Sequence, residues 1–119
     1  MSNTRAWHFY VDDMVAFAQK VMTYTEGLDQ QAFIQSGLNY DATLRNLELI
    51  GEAATHIPKD VQAGFPEIPW RQIIATRNRL IHGYLGIDSD TLWSIIETDI
   101  PALLPQLIAM QRKISNTNE

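Results

Sequence analysis

The sequence predicts an all-α fold, an up-and-down bundle of four to five helices, on three observations. Apolar residues recur at three- and four-residue steps along most of the chain, which is the period of a half-buried helix. Glycine or proline closes most of these stretches, at Gly27, Gly37, Pro58 and Gly83. No run alternates apolar and polar residues as a half-exposed strand requires, and no internal repeat is present. At 119 residues, 45% of them apolar and 19% charged, the chain is expected to form one domain spanning 1–119.

The first helix is carried by Trp7, Tyr10, Val11, Met14, Phe17, Ala18, Val21 and Met22, with Thr4 as expected N-cap and Gly27 as the residue beyond its end. A short helix fits Asp29 to Ser36 and is expected to stop at Gly37. Asn39 or Asp41 is expected to cap a third, whose apolar stripe is Leu44, Leu47, Ile50, Gly51 and Ala54 and whose end is set by Pro58. Between Pro58 and Pro69 the prolines and Gly64 predict a loop with room for one helical turn. Pro69 suits the first position of a fourth helix, through Ile73, Ile74, Arg77, Leu80 and Ile81, ended by Gly83 and Gly86. Asp88 or Ser89 should cap the last helix, through Leu92, Trp93, Ile96, Ile100, Leu103, Leu104 and Leu107. Pro101 and Pro105 should kink or split it, and Ser115 to Glu119 should fray.

There is no cysteine, so disulfides, thiolate metal sites and cysteine nucleophiles are excluded. No stretch approaches the ~20 apolar residues of a membrane span, and the first residues lead into an amphipathic segment, not an apolar signal core. The expectation is a cytoplasmic protein with no membrane partner. A net charge of −5 argues against a generic nucleic-acid binder, which needs clustered Lys and Arg. The distribution is uneven, however. Residues 68–87 hold Arg71, Arg77 and Arg79 and no acid, while the rest of the chain has six basic and fourteen acidic side chains. Any anion site should be local.

That basic segment contains the residues best suited to chemistry, Arg77-x4-His82-x-Tyr84. Arginine is a permanent cation whose planar donors match a phosphate. Histidine titrates near neutrality and can both take and give a proton. RNA cleavage without a metal needs those two services, a base for the 2′-OH and a cation for the phosphoryl oxygens. Five residues on a helix are about 140° apart in azimuth, so Arg77 and His82 would not share a face unless the helix frays before Gly83 or a second copy supplies the missing group. An Arg and a His near a helix C-terminus are also commonplace, because both complement the helix dipole. A Tyr at such a place is commonly a core-rim aromatic. Spacing alone leaves both readings open.

Other candidates are fewer. Glu48, Glu52 and His56 form an i, i+4, i+8 stripe on which a metal site is physically possible. The alternative is solvated carboxylates, one of them paired with Arg45. His8 belongs to no two-histidine ligand spacing, and Asp12-Asp13 reads as a solvated face. No glycine-rich phosphate loop and no Gly-x-Ser-x-Gly elbow occurs. No cofactor and no metal are expected.

Three segments together resemble the HepT-like branch of the HEPN superfamily: Arg45-Asn46-Leu47-Glu48-Leu49-Ile50-Gly51-Glu52-Ala53-Ala54, Ile68-Pro69-Trp70, and Arg77-Asn78-Arg79-Leu80-Ile81-His82-Gly83-Tyr84. Weaker echoes are Tyr24-Thr25-Glu26-Gly27 and Leu92-Trp93. The likeness covers nearly the whole chain in the expected order. It implies a homodimeric helical bundle acting as a metal-independent endoribonuclease, the toxin of a type VII-like toxin–antitoxin pair, which leaves a 2′,3′-cyclic phosphate. By position, Arg77 would stabilise the phosphate, Asn78 would orient the scissile group and His82 would be the general acid/base. The implied partner is a small nucleotidyltransferase of the MNT type. As antitoxin it would transfer AMP from ATP onto Tyr84, and it could build a higher assembly with the toxin dimer. The competing readings are a non-catalytic HEPN module that binds a nucleotide or that partner, and a plain helical adaptor.

Overall fold

The computed structural model describes residues 5–83 and 87–117, and among these no strand occurs. The helices are α1 (Trp7–Thr25), α2 (Gln30–Gln35), α3 (Gly37–Thr55), α4 (Lys59–Ala63), α5 (Trp70–Ile81), α6 (Ser89–Ser94) and α7 (Ile100–Thr117), with a π-helical turn (Ile95–Asp99) joining α6 to α7. The long ones form the bundle. α3 packs between α1 and α5, and α1 in turn packs on α7, so the row reads α5, α3, α1, α7.

The apolar stripes are the reason for that row. Val11, Met14, Ala18 and Val21 of α1 are buried, as are Leu44, Leu47, Ile50 and Ala54 of α3, and Ile100, Leu103, Leu107 and Met110 of α7. Burying one such side chain stabilises by about 1.5–3 kcal/mol, so these stripes dominate the favourable side of folding. The amphipathic α5 contributes less: Trp70 and Leu80 are buried, Ile73 and Ile74 are half-buried, and Ile81 is 44% exposed. Where α5, α3 and the start of α7 meet, Leu47, Ile50, Ile73, Ile100 and Leu103 line a small cavity of about 40 Å³.

Polar side chains fasten the turns. Asn39 donates to the Tyr24 carbonyl at 2.7 Å, tying the beginning of α3 to the end of α1. Gln62 of α4 donates to the Ile57 carbonyl at 3.0 Å and to the Ala54 carbonyl at 3.4 Å, fastening α4 to the end of α3. The indole of Trp70 donates to the Phe65 carbonyl at 3.1 Å and anchors the start of α5.

Several boundaries differ from those expected. Thr4 lies outside the described residues, and the cap position of α1 is Ala6, which makes no side-chain cap bond. Gly37 does not close α2. Ser36 does so, and Gly37 opens α3, because the two helices share one turn. Neither Asn39 nor Asp41 caps α3; both lie inside its first turns, and the Asn39 side chain serves the tertiary contact instead. Pro69 stands one position before α5, as its cap residue. Residues 115–117 continue α7 where fraying was expected. Pro101 interrupts the last helix as expected, in the form of the π-helical turn that divides it into α6 and α7. Its ring has no N–H to offer the preceding turn, and the backbone accommodates this by widening just ahead of it, the Ile100 N–H reaching back to the Ile95 carbonyl. Pro105 is held within α7.

Asp88 caps α6 as expected: its carboxylate accepts from the Thr91 backbone N–H at 2.8 Å and from the Thr91 hydroxyl at 3.0 Å. The Thr91 backbone N–H, then its hydroxyl, hold the Asp88 carboxyl below its ordinary value of 3.8. A lowered folded-state value means that the cap stabilises the fold above the unfolded-state value and loses that effect as pH falls through the folded-state one. Asp88→Ala should therefore lower the melting temperature at neutral pH, and the difference from wild type should shrink below pH 3.8. Asp88→Asn, whose amide oxygen can still accept from the Thr91 N–H but does not titrate, should show a smaller difference at neutral pH that shrinks over the same range. Thermal melts across the acid range measure both.

Candidate functional site

The site is built where α3 and α5 touch. In the middle of the α3 stripe stands Gly51, and the stem of Arg77 lies directly on its bare backbone. A Cβ added at Gly51 would fall 2.2 Å from the Arg77 Cβ, 2.9 Å from its Cγ and 3.0 Å from the Ile73 carbonyl oxygen. Only glycine leaves room for this approach. The guanidinium then extends past Gly51 to the next residue of α3. Its Nη2 donates to Glu52 Oε2 at 2.5 Å, and Nη1 donates to Asn78 Oδ1 at 2.8 Å. The Arg77 side chain is 26% exposed and that of Glu52 46%. The Arg77 Nε is buried with no hydrogen-bond partner among the described residues.

Glu52 has a second neighbour. Its Oε1 lies 3.8 Å from His56 Nε2, and the His56 ring is stacked on Tyr10 of α1 with centroids 4.4 Å apart and planes 11° from parallel. A line of side chains thus crosses three helices, Tyr10, His56, Glu52, Arg77, and ends at Asn78.

His82 is placed differently. It caps α5 in a right-handed helical conformation and its N–H still bonds the Asn78 carbonyl at 3.2 Å, so the helical path continues through it and does not fray beforehand. The azimuthal gap of about 140° from Arg77 therefore stands. Its side chain is exposed, and the described residues of the same chain offer the imidazole no partner. The next residue, Gly83, has φ +134°, a backbone setting that side-chain-bearing residues rarely adopt. Tyr84, with Gly86, lies outside the described residues. The structure thus brings Arg77 and Asn78 together and sets His82 apart from them at the helix end.

The basic segment is less bare than its sequence suggests, since Glu52 from another helix closes on Arg77. Arg71, Asn78 and Arg79 are exposed. In the Glu48, Glu52, His56 stripe, Glu48 pairs with Arg45 at 3.0 Å, as one of the two sequence readings expected, and Glu52 is engaged by Arg77. Among the described residues no cluster of three acidic, histidine or cysteine side chains is arranged to hold a metal. His8 rests its ring on Phe9, with centroids 4.3 Å apart. Sequence reasoning missed Glu52 as the partner of Arg77. The available signal was Gly51, since a glycine inside an apolar helical stripe marks a close backbone approach and the residue after it borders whatever approaches.

The arrangement offers an arginine held in place with half its Nη hydrogens uncommitted, and an imidazole open to solvent on the same helix. The family model described as "Ribonuclease HepT-like" matches residues 14–110. The chain belongs to the HepT-like ribonuclease family. This stretch takes in both α3 and α5 with Gly51, Glu52, Arg77 and His82. A Methanocaldococcus jannaschii protein bearing the name "Putative RNase" is 37% identical over 79% of this chain and 86% of its own length. One from Thermococcus cleftensis, named "Probable ribonuclease HepT", is 36% identical over 79% and 86%. A second M. jannaschii "Putative RNase" is 33% identical over 79% and 81%. No solved structure matches the chain at a significant level. No helix among the described residues is long and apolar enough to cross a membrane.

The helix contact sets up a direct test. Gly51→Ala gains about 1 kcal/mol of helix propensity but overpacks the α3–α5 seam, for which about 1–3 kcal/mol is typical. With the Arg77 Cβ and the Ile73 backbone as the obstacles, the upper part of that range applies. Urea unfolding should show a net loss of stability, whereas Gly37→Ala, where an added Cβ meets nothing, should not.

Proposed function

We propose that this chain is the endoribonuclease toxin of a HEPN/MNT-type pair, acting as a homodimer and cleaving RNA without a metal. The observation that carries the reading is the state of Arg77: a guanidinium fixed by Glu52 and Asn78 but still 26% exposed, in a chain of a ribonuclease family. A fixed cation is what stabilises a phosphorane-like transition state at little reorganisation cost.

In this mechanism His82 removes the proton from a ribose 2′-OH, and the 2′ oxygen attacks the adjacent phosphorus. The bond to the 5′ oxygen breaks, and that oxygen takes the proton back from the imidazolium that His82 has become. The products are a 2′,3′-cyclic phosphate and a 5′-OH end. Arg77 has five N–H donors, and one on each Nη remains for the phosphoryl oxygens. Asn78 steadies Nη1 and is exposed beside it, where its amide can orient the scissile group. Because Arg77 and His82 diverge around α5, the reacting phosphate is best reached by Arg77 of one protomer and His82 of its partner. Ile81, 44% exposed between them, suits the dry centre of such a seam. AMP placed on Tyr84 by an MNT-type nucleotidyltransferase would add a bulky anion two residues from His82 and compete with RNA for the same cations.

Two experiments decide this reading. Purified protein should cleave RNA in EDTA to cyclic-phosphate ends. His82→Ala should lose about 10²–10⁴-fold in rate with its melting temperature kept, as removal of a general acid/base does; undiminished cleavage by that variant would overturn the assignment. Co-expression with the nucleotidyltransferase should add the mass of one or more AMP groups, abolished by Tyr84→Phe. An unmodified Tyr84 beside an inactive toxin would reject that mode of silencing.

A further inference from the structure

We propose that Glu52 is the positioning residue for Arg77: it orients the guanidinium for a phosphate and, in doing so, weakens RNA binding in the ground state. The inference rests on the proposed ribonuclease function for its kinetic part and on geometry alone for the rest.

An arginine side chain is long and conformationally free, so a single orientation has to be imposed on it. Here three contacts impose it. Gly51 admits the stem, Glu52 holds Nη2 and Asn78 holds Nη1. They differ in strength. Asn78 is the next residue on the same helix and is exposed, so its amide moves with Arg77 and cannot fix it relative to the rest of the bundle. Glu52 belongs to α3 and forms a charge-assisted bond. His56, stacked on Tyr10, borders the other Glu52 oxygen and limits where the carboxylate can swing.

The same carboxylate opposes an incoming polyanion. It is 46% exposed, so its field reaches the surface from which RNA must approach Arg77. A residue that only held the fold together would change binding and turnover in one direction. Glu52 has opposite effects on the two: it repels substrate and aligns the cation that acts on the substrate. Since it reaches the phosphate only through Arg77, it is not itself catalytic.

The test uses the full chain, a fluorescent single-stranded RNA as substrate and its 2′-O-methyl analogue as an uncleavable ligand. Glu52→Gln keeps the size of the side chain and removes its charge. It should bind the analogue more tightly than wild type while kcat falls about 10- to 100-fold, the scale of a misplaced catalytic group. In an Arg77→Ala background the same change should cost no further activity. Equal or weaker binding with unchanged kcat, or losses that multiply in the double variant, would overturn the proposal. If wild type cleaves no RNA, the ribonuclease reading fails by itself, and the geometry is judged by NMR of the arginine side chains. Slowed Nη rotation assigned to Arg77 should be present in wild type and lost in Glu52→Gln; rotation equally slow, or equally fast, in both would refute the positioning role.

Discussion

The approach of α5 to α3 at Gly51 is the constraint on which the rest of the site depends. Two helices meet with no side chain on one of them, and the space is filled by the stem of a charged residue. Aliphatic carbons of an arginine can line such a seam as well as a leucine can, provided the head emerges to a partner. Glu52, one residue along α3, is that partner. An arginine stranded in a helix contact would carry a large desolvation cost, and a glutamate alone at the same place would repel any anion. Together they make a cation that is packed like a core residue and charged like a surface one.

Much of the fold was legible because burial and helical period agree. The expected stripes of α1, α3 and the final helix are buried or half-buried with the exception of Met22, which is 38% exposed, and Asp88 caps where a capping residue was expected. Boundaries were less legible for a definite reason. Capping residues are also good tertiary hydrogen-bonders, and the sequence does not say which task each takes. Asn39 looked like a cap and instead ties α3 to the Tyr24 carbonyl; the turn it was expected to begin had already begun at Gly37. Pro101 marked a real interruption but not its form, a π-turn, in which one extra residue per turn lets the carbonyls ahead of a proline find other donors.

The site was legible in part. Arg77 and His82 stood out by residue type and spacing and Asn78 only through the family resemblance, and the helical arithmetic that separates Arg77 from His82 holds in the structure because α5 stays regular through His82. Glu52 was not legible as their companion. It is 25 residues from Arg77, and on its own helix it reads as one member of a solvated acidic stripe with Glu48. Arg45, three residues before Glu48, marks that glutamate as its own partner, but no Lys or Arg neighbour in sequence assigns Glu52. What assigns it is that it follows the glycine another helix leans on. The same contact alters the charge reading: the acid-free stretch 68–87 is acid-free only along the chain.

That last point bears on how a chain of net charge −5 could act on RNA at all. Tight general binders of nucleic acid use many phosphate contacts, each adding affinity and salt dependence. The chain has nine Lys and Arg against fourteen acids, and among the described residues Arg5, Arg45 and Arg77 are each paired with an acid. Under the proposed function, discrimination between RNAs would come from how a strand fits the site more than from how strongly the surface attracts it. A cation that is already oriented by a carboxylate suits that regime. It contributes little to holding RNA that is wrongly placed, because its charge is largely offset. Under the proposed mechanism it would contribute most when a phosphate reaches the geometry in which the remaining Nη hydrogens point at developing negative charge. On the proposed reading, weak attraction and strict alignment would be two consequences of one ion pair.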